Sequence, residues 1–376
     1  MGDDTNTRST FNDSFRTFVP KTGPATRAAQ EKTKSTGKLP LLVDPAEYGV
    51  IRRSLIRFVE HPSGLHQLAI GCSMPIETRL DTTGSMGNNV DRALAVLPDL
   101  YELCSGVLPS YDVHVAIGIF GDYTDEFILC RPQFEMLSDK IVEQLTLMYP
   151  EHGGGGNGGE DPHYGLFGGA YLVAAYVNRL GLKRYDFTIS DEPARDTLSE
   201  QQLIRVFGPD VFDKVTLNGF NIDRNDLPTT KEVVDDLLKQ AHAFFLQVGD
   251  AYSTTNFWTR TFGPDRVIML PRIELLPQVQ AIIIGLTEGT LGLDQIGDFL
   301  IEAKASPAEI KQISRSVANI PIGAQAVLRE GLKYRIPQKG DLFAEKTDLE
   351  PTRLSEDLPV AEEAVAETVP AGPSWL

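Results

Sequence analysis

The run Asp81-Thr-Thr-Gly-Ser-Met-Gly87 stands where a hydrophobic segment gives way to a helical pattern. It sets a carboxylate, Asp81, and two hydroxyls, Thr83 and Ser85, at i, i+2 and i+4 in one tight loop. All three are hard oxygen donors, the ligand type that Mg²⁺, Mn²⁺ and Ca²⁺ prefer. Gly84 permits the sharp turn, and the following helix offers free N–H groups to an anion that joins the metal. Two further segments carry compatible groups. The glycine-rich run Gly153-Gly-Gly-Gly-Asn-Gly-Gly-Glu160-Asp161-Pro162 precedes a helical pattern, and Ser190-Asp191-Glu192-Pro193 ends a strand-like one. Asp81, Asp191 and either Glu160 or Asp161, with the Thr83 and Ser85 hydroxyls, suit an octahedral divalent cation that keeps water in its open positions.

Each carboxylate has a plainer reading when taken alone. Asp81 reads as a helix cap and Asp191 as a turn residue before Pro193. Their coincidence on three successive strand-end loops favours the metal site. Other chemistries fit worse. Asp81-Thr-Thr-Gly-Ser approaches the Asp-Thr-Gly-Ser of aspartic proteases, but it has an extra Thr and no second copy to form a carboxylate dyad. Gly153-x-Gly155-x-x-Gly158 matches a dinucleotide fingerprint only formally, because Ile141–Tyr149 before it reads as a helix. A phosphate loop requires Gly-Lys-Ser/Thr after the glycines, where Glu160-Asp161 stands. A haloacid-dehalogenase-like nucleophile would want a second Asp where Thr83 sits. His114 reads as a core residue, and His152 and His163 flank the glycine loop as weaker candidates.

The elements that must position these loops alternate in type. Strand patterns fall at Leu68–Leu80, Val113–Phe120, Phe127–Cys130, Tyr185–Ser190, Ala243–Val248 and Arg266–Leu270. Helical spacing falls at Gly87–Cys104, with a kink or break expected at Pro98, and at Gly165–Leu180, Thr230–Ala241 and Pro271–Leu286. Alternation of this kind predicts an α/β fold with a doubly wound, mainly parallel sheet and an antiparallel edge strand at Phe127–Cys130. In such sheets, ligands bind beyond the carboxyl ends of the strands, where these loops converge.

Beyond Leu291 the pattern is purely helical, with Ser306, Pro307 and Glu309 placed as N-cap, N1 and N3 of one helix. About 40 residues are too few for a trusted independent core, so this piece is expected to pack on the main sheet. Four segments result: a disordered basic arm over 1–42, the α/β domain over 43–290, a helical extension over 291–340 and an acidic disordered tail over 341–376. The arm carries seven basic residues against four acidic ones, and the tail nine acidic residues against Lys346 and Arg353.

Composition narrows the function classes. With 35 Lys and Arg against 52 Asp and Glu, the net charge of −17 argues against nucleic-acid binding, which needs clustered cations. Cys72, Cys104 and Cys130 lie apart in apolar surroundings, as free buried thiols would. The polar N-terminus lacks the apolar stretch of a secretory signal, and no long apolar run suggests membrane insertion. A soluble protein of a reducing, cytoplasmic compartment is expected.

The first loop resembles the metal-ion-dependent adhesion motif, Asp-x-Ser/Thr-x-Ser, of the von Willebrand factor type A family. The resemblance covers roughly Leu68 to Leu286 and includes Phe120-Gly-Asp-Tyr and Thr188-Ile-Ser-Asp-Glu-Pro. It implies that Asp81, Thr83, Ser85 and Asp191 hold Mg²⁺, or Mn²⁺ or Ca²⁺ in its place. The second loop departs from the family: where many members supply a Thr, Asn157, Glu160 and Asp161 compete, as in an acidic variant of intracellular members. Another departure is Met74-Pro75-Ile76-Glu77-Thr78-Arg79-Leu80, whose proline and charges suit a central strand poorly. Either Glu77 and Arg79 pair with each other, or the helical appendage or a partner covers that face.

The resemblance implies a metal-dependent protein-binding module, a scaffold or adaptor, in which a partner's acidic side chain completes the cation's coordination. Some intracellular members act beside AAA+ ATPases or kinases, which makes such a system the expected partner. No nucleophile–base pair or cofactor motif argues for an enzyme. The alternatives are a metal-dependent phosphohydrolase using Asp81 and the acidic second loop, or a structural subunit with a vestigial site.

Overall fold

The computed structural model describes residues 24–47, 52–53, 58–60, 66–68, 72–136, 138–154 and 159–330. In chain order the first half forms α1 (Pro24–Thr36), β1 (Arg52–Arg53), β2 (Phe58–Glu60), β3 (His66–Leu68), β4 (Cys72–Asp81), α2 (Asn89–Val107), β5 (Tyr111–Phe120), β6 (Leu129–Cys130) and α3 (Ser138–Thr146). There follow α4 (Pro162–Leu172), β7 (Val173–Ala174), α5 (Tyr176–Arg179), β8 (Arg184–Ser190), α6 (Glu200–Phe207), α7 (Val211–Leu217), α8 (Thr230–Gln240) and β9 (Ala241–Val248). The last elements are α9 (Tyr252–Phe262), β10 (Val267–Leu270), α10 (Leu276–Glu288), α11 (Ile296–Glu302), α12 (Pro307–Val317) and α13 (Ala324–Glu330).

Six strands form the main sheet in the order β10-β9-β8-β4-β5-β6. All pairs are parallel except β5 with β6, the expected antiparallel edge. The chain runs outward from β4 through β5 to β6, then returns to β4's other side and runs outward again through β8 to β10. That reversal makes the carboxyl ends of β4 and β8 the topological switch point. Asp81 is the last residue of β4, and Asp191 directly follows β8.

The two faces of the sheet bury separate clusters. On one face Met74, Ile76 and Leu80 of β4 and Tyr185, Phe187 and Ile189 of β8 pack with residues of α2, α10 and α12. On the other, Phe245 joins Leu166 and Phe167 of α4, Val233 and Leu237 of α8 and Trp258 of α9. Period-2 alternation is thus present in β4 and β8, but their second face is polar instead of solvent-exposed.

This polar face accounts for Glu77 and Arg79. Arg79 pairs through both terminal nitrogens with Asp186 on β8 and donates to Thr188 Oγ1 at 3.1 Å. Arg131 pairs with Glu77 through Nε and Nη2. Arg184 donates to Asp186 Oδ2 at 2.9 Å and to the Gly169 carbonyl at 2.7 Å. Glu77 and Arg79 also approach each other, at 3.4 Å, but their main partners lie elsewhere. Burial pushes the Glu77 carboxyl up, yet Arg131 and then Arg79 outweigh it and hold the group well below the usual range.

The cover over these charges is α4, and not the helical appendage. Gly165, Gly168 and Gly169 share the face of α4 that rests on the arginines. A Cβ at Gly165 would lie 2.7 Å from Arg79 Cδ, and one at Gly168 would collide with the Arg131 guanidinium. Pro75 is tolerated because β8 joins β4 only from Ile76 onward, so β4 is still an edge on that side at the proline.

Other expectations shift in detail. α2 runs through Pro98 without a break, its apolar face (Leu94, Leu97, Leu100, Cys104) buried in the core. The helix expected over Gly165–Leu180 stops at Leu172, and Val173–Ala174 pairs with Arg52–Arg53 before α5 begins. Pro24–Thr36, assigned to the basic arm, is helical, and Leu39 and Val43 beyond it enter the core. Residues 1–23, 341–376 and Asn157 lie outside the described residues. Cys104 and Cys130 are buried free thiols.

The extension packs on the main sheet through Ile296, Leu300, Ile313 and Val317. Its α12 starts with the anticipated capping box: Ser306 accepts from the Glu309 N–H, and Glu309 accepts from the Ser306 N–H at 2.7 Å. At the opposite end of the sheet, Gln325 of α13 reaches His242 at 3.0 Å and donates to the Lys183 carbonyl at 2.7 Å.

Candidate functional site

Asp81 ends β4 on its polar face, at the top of the row that begins with Glu77 and Arg79. It is fully buried and tied from two sides. Thr83 donates its backbone N–H (2.8 Å) and its hydroxyl (2.7 Å) to Oδ1. Ser190, ending the adjacent β8, donates to Oδ2 at 2.6 Å. Thr83 and Ser85 hydroxyls lie 3.1 Å apart, and Ser85 donates to Asp191 Oδ1 at 2.8 Å. Four of the anticipated donors therefore form one continuous chain of oxygens: Asp81, Thr83, Ser85, Asp191.

Local geometry brings the second loop against the first. The N–H of Gly84 donates to the Gly153 carbonyl at 2.5 Å, and a Cβ at Gly84 would stand 3.3 Å from that oxygen. Gly84 opens a single 3₁₀ turn to Met86, and Gly87 then adopts φ 49° before α2. The Glu160 backbone is fixed from the third loop, donating to the Pro193 carbonyl at 3.1 Å.

The two second-loop acids separate. Glu160 approaches the Thr83 hydroxyl and feels the charge of Asp81, while its Oε2 is buried with no hydrogen-bond partner among the described residues. Asp161 faces away from that cluster, with Arg195 donating to its Oδ1 and the Tyr123 N–H to its Oδ2. Arg195 also donates to Asp122 Oδ2 at 2.8 Å, so one guanidinium joins the loops after β5, before α4 and after β8. Asp122 lies just beyond the end of β5, its Oδ1 accepting from the Thr124 N–H and hydroxyl at 2.8 and 2.6 Å. His163 is fully buried against Tyr164, and His114 lies within β5.

Charge accumulates where the oxygens meet. Burial, supplemented by Asp191, pushes the Asp81 carboxyl up to about 7 against the bonds from Ser190 and Thr83. Burial, then Asp81, Glu192 and Asp122, push Glu160 up to about 8. Asp161 rises to about 6 through burial, with Arg195 opposing, and Asp191 is also raised by burial.

This donor set fits a hard divalent cation. It contains oxygens only, includes the orphaned Glu160 Oε2, and gathers carboxyls whose burial and mutual proximity make a cation's charge welcome. Among the described residues, no three His, Cys, Asp or Glu side chains form a group that could hold a metal ion, so the fit depends on counting the two hydroxyls as donors. Sequence reasoning did not assign Ser190 and Arg195. Ser190 had a signal, since it stands on β8's polar face beside Asp191; Arg195 had none, because its partners come from distant loops.

No family model matches the chain, and no curated protein matches it. Solved structures do. The vWF domain of the type V pili tip protein Mfa5 from Porphyromonas gingivalis is 10% identical over 57% of this chain and 97% of its own, with a TM-score of 0.36. A von Willebrand factor type A structure from Catenulispora acidiphila is 10% identical over 60% of this chain and 44% of its own, with a TM-score of 0.33. Proximal thread matrix protein 1 from the mussel byssus, solved with a zinc-occupied MIDAS motif, is 9% identical over 57% of this chain and 48% of its own, with a TM-score of 0.32. This chain spans about half the length, or less, of the first structures that it matches. The doubly wound fold itself rests on the strand order and register above. In that fold, the chain is similar to von Willebrand factor type A domains.

Proposed function

We propose that this chain is a divalent-cation-dependent protein-binding module, with Asp81, Thr83, Ser85, Asp191 and Glu160 around the cation. The observation that carries this reading is the hydrogen-bonded oxygen chain from Asp81 to Asp191 at the switch point, with the buried, unpartnered Glu160 Oε2 beside it. A bound Mg²⁺, or Mn²⁺ or Ca²⁺, would supply positive charge and an open position for an acidic side chain of a partner protein.

The residues divide the work. Ser190 and the Thr83 N–H hold the Asp81 carboxylate in place, as supporting groups around a metal ligand do. The Thr83 and Ser85 hydroxyls can rotate their protons toward Asp81 and Asp191 and turn lone pairs to the cation. Asp161 acts through Arg195, locking the second loop so that Glu160 is presented. Buried free thiols at Cys104 and Cys130 support a reducing, cytoplasmic setting, and no described helix is long and apolar enough to cross a membrane. A partner from an AAA+ ATPase or kinase system remains part of the proposal on the sequence resemblance.

Titration calorimetry with Mn²⁺, followed by affinity capture with Mg²⁺ and with EDTA, tests the reading. Saturable binding by the wild type that is lost in Asp81→Ala supports it. Identical titrations for both proteins would overturn it.

A further inference from the structure

Beside the oxygen cluster lies a cavity of about 430 Å³ whose wall includes Asp191. Leu270, Ile273 and Val248, at or just after the carboxyl ends of β9 and β10, supply apolar lining. Arg92 of α2 and Arg272 also line it, and the helical extension contributes Glu309. Asp191 thus belongs to both spaces: it accepts from Ser85 on one side and lines the cavity on the other.

We propose that this cavity receives a second carboxylate of the same acidic partner segment, bound by Arg272 with Arg92 beside it. The proposal rests on the cation-bridged reading for the first carboxylate. Three observations carry it. First, a chain of net charge −17 cannot draw an acidic partner by its overall field, so attraction must be local. Arg92 and Arg272 are the guanidiniums that line the cavity next to Asp191.

Second, Arg272 is only partly committed. It donates from Nε to Glu309 Oε1 at 2.8 Å, and no bond from its terminal nitrogens is formed among the described residues. Arg92, by contrast, is held at three points by Glu274 and Asn89. A planar guanidinium with its outer edge open is suited to a bidentate carboxylate.

Third, exchange of Glu309 for an incoming carboxylate is cheap. The Arg272–Glu309 pair is 34% and 20% exposed, in the class of ion pairs that contribute little. Glu309 keeps its other bond when displaced, because its Oε2 accepts the Ser306 N–H of the α12 cap. The extension therefore acts as a wall of the binding face and supplies a place-holder acid.

The probe is a fluorescein-labelled pentapeptide, Gly-Gly-Asp-Gly-Gly, with four variants that carry Glu in place of each glycine in turn. Fluorescence anisotropy is read with the full chain in Mg²⁺ and in EDTA. At least one two-acid peptide should bind about three- to tenfold tighter than the one-acid peptide. Arg272→Gln should erase that gain and leave the one-acid peptide unchanged, whereas Glu309→Gln should enlarge it. Equal binding of all five peptides, including none by any, overturns the proposal, as does an equal loss for one- and two-acid peptides in Arg272→Gln. Metal-dependent binding that ignores Arg272 would sink the cavity and spare the cation site. An Arg272-dependent gain that survives EDTA would support the cavity and sink the cation-bridged reading.

Discussion

Arg79 of β4 and Asp186 of β8 pair through both terminal guanidinium nitrogens, on adjacent central strands and with neither exposed to solvent. They anchor a buried layer of three arginines and two acids, and α4, which follows directly on Glu160 and Asp161, lies on it. The polar layer is therefore the support of the second loop.

Removing one member should cost far more than a surface ion pair. Asp186→Ala leaves Arg79 and Arg184 facing each other without their shared acid. It is expected to destabilise the fold by about 3–5 kcal/mol. Urea unfolding of Asp186→Ala against Asp210→Ala, a surface partner of Lys214, measures the contrast. Similar losses for the two would show that the layer carries no special weight.

The glycines of α4 should resist the most conservative substitution. Gly168→Ala sets a Cβ against the Arg131 guanidinium and within 3.1 Å of the Phe207 ring. Overpacking should cost about 1–3 kcal/mol, although alanine is the better helix former. At Gly297 in α11 nothing lies within 4 Å of such a Cβ, and Gly297→Ala should be neutral or stabilising by about 0.5–1 kcal/mol. Thermal melting of the two variants side by side would reveal the opposite signs.

The second-loop acids should separate in function. Glu160→Gln should lower Mn²⁺ affinity by roughly tenfold, the scale expected when a charged oxygen ligand is lost. Asp161→Asn should weaken the Arg195 clamp and the melting temperature more than it weakens the metal. Calorimetry and melting on both variants check this, and a larger affinity loss for Asp161→Asn would reverse the assignment.

Acid should loosen the sheet's amino-terminal end. Burial lowers His242 to about 4, with Lys183 and Arg266 reinforcing and the Gln325 contact opposing. An unfolded histidine titrates near 6.5, so between those values the unfolded chain binds a proton that the folded chain does not. The contribution is complete above pH 6.5 and is lost as pH falls toward 4, amounting to about 3 kcal/mol. His242→Gln should flatten that part of the stability profile measured by urea titration at stepped pH.

Much of this organisation is legible in the chain, because loop chemistry and strand alternation are local. Asp81-Thr-Thr-Gly-Ser and Ser190-Asp191 follow strands whose apolar residues alternate, and Ser306-Pro-Ala-Glu309 declares its helix cap. The rest depends on distant partners. Glu77 and Arg79 look wrong for a central strand until Arg131, Asp186 and three glycines of α4 stand opposite them. Nothing adjacent in sequence says that Asp161 will serve Arg195 while Glu160 approaches Thr83. Pro98 passes unnoticed inside α2 because tertiary packing outweighs a single lost backbone bond.

The same charged layer fixes how β4 can align. A strand's side chains change face with every one-residue slip. In a slipped β4, Arg79 and Glu77 would enter the apolar cluster around Ile282 and Ile283, far from Asp186 and Arg131, and Met74, Ile76 and Leu80 would press on guanidiniums. Two rows that merely prefer different neighbours become two that cannot exchange places. A one-residue slip is therefore barred, Asp81 arrives opposite Phe120 and beside Ser190 with its carboxylate on the right face, and the error-proofing of the site begins four residues below it.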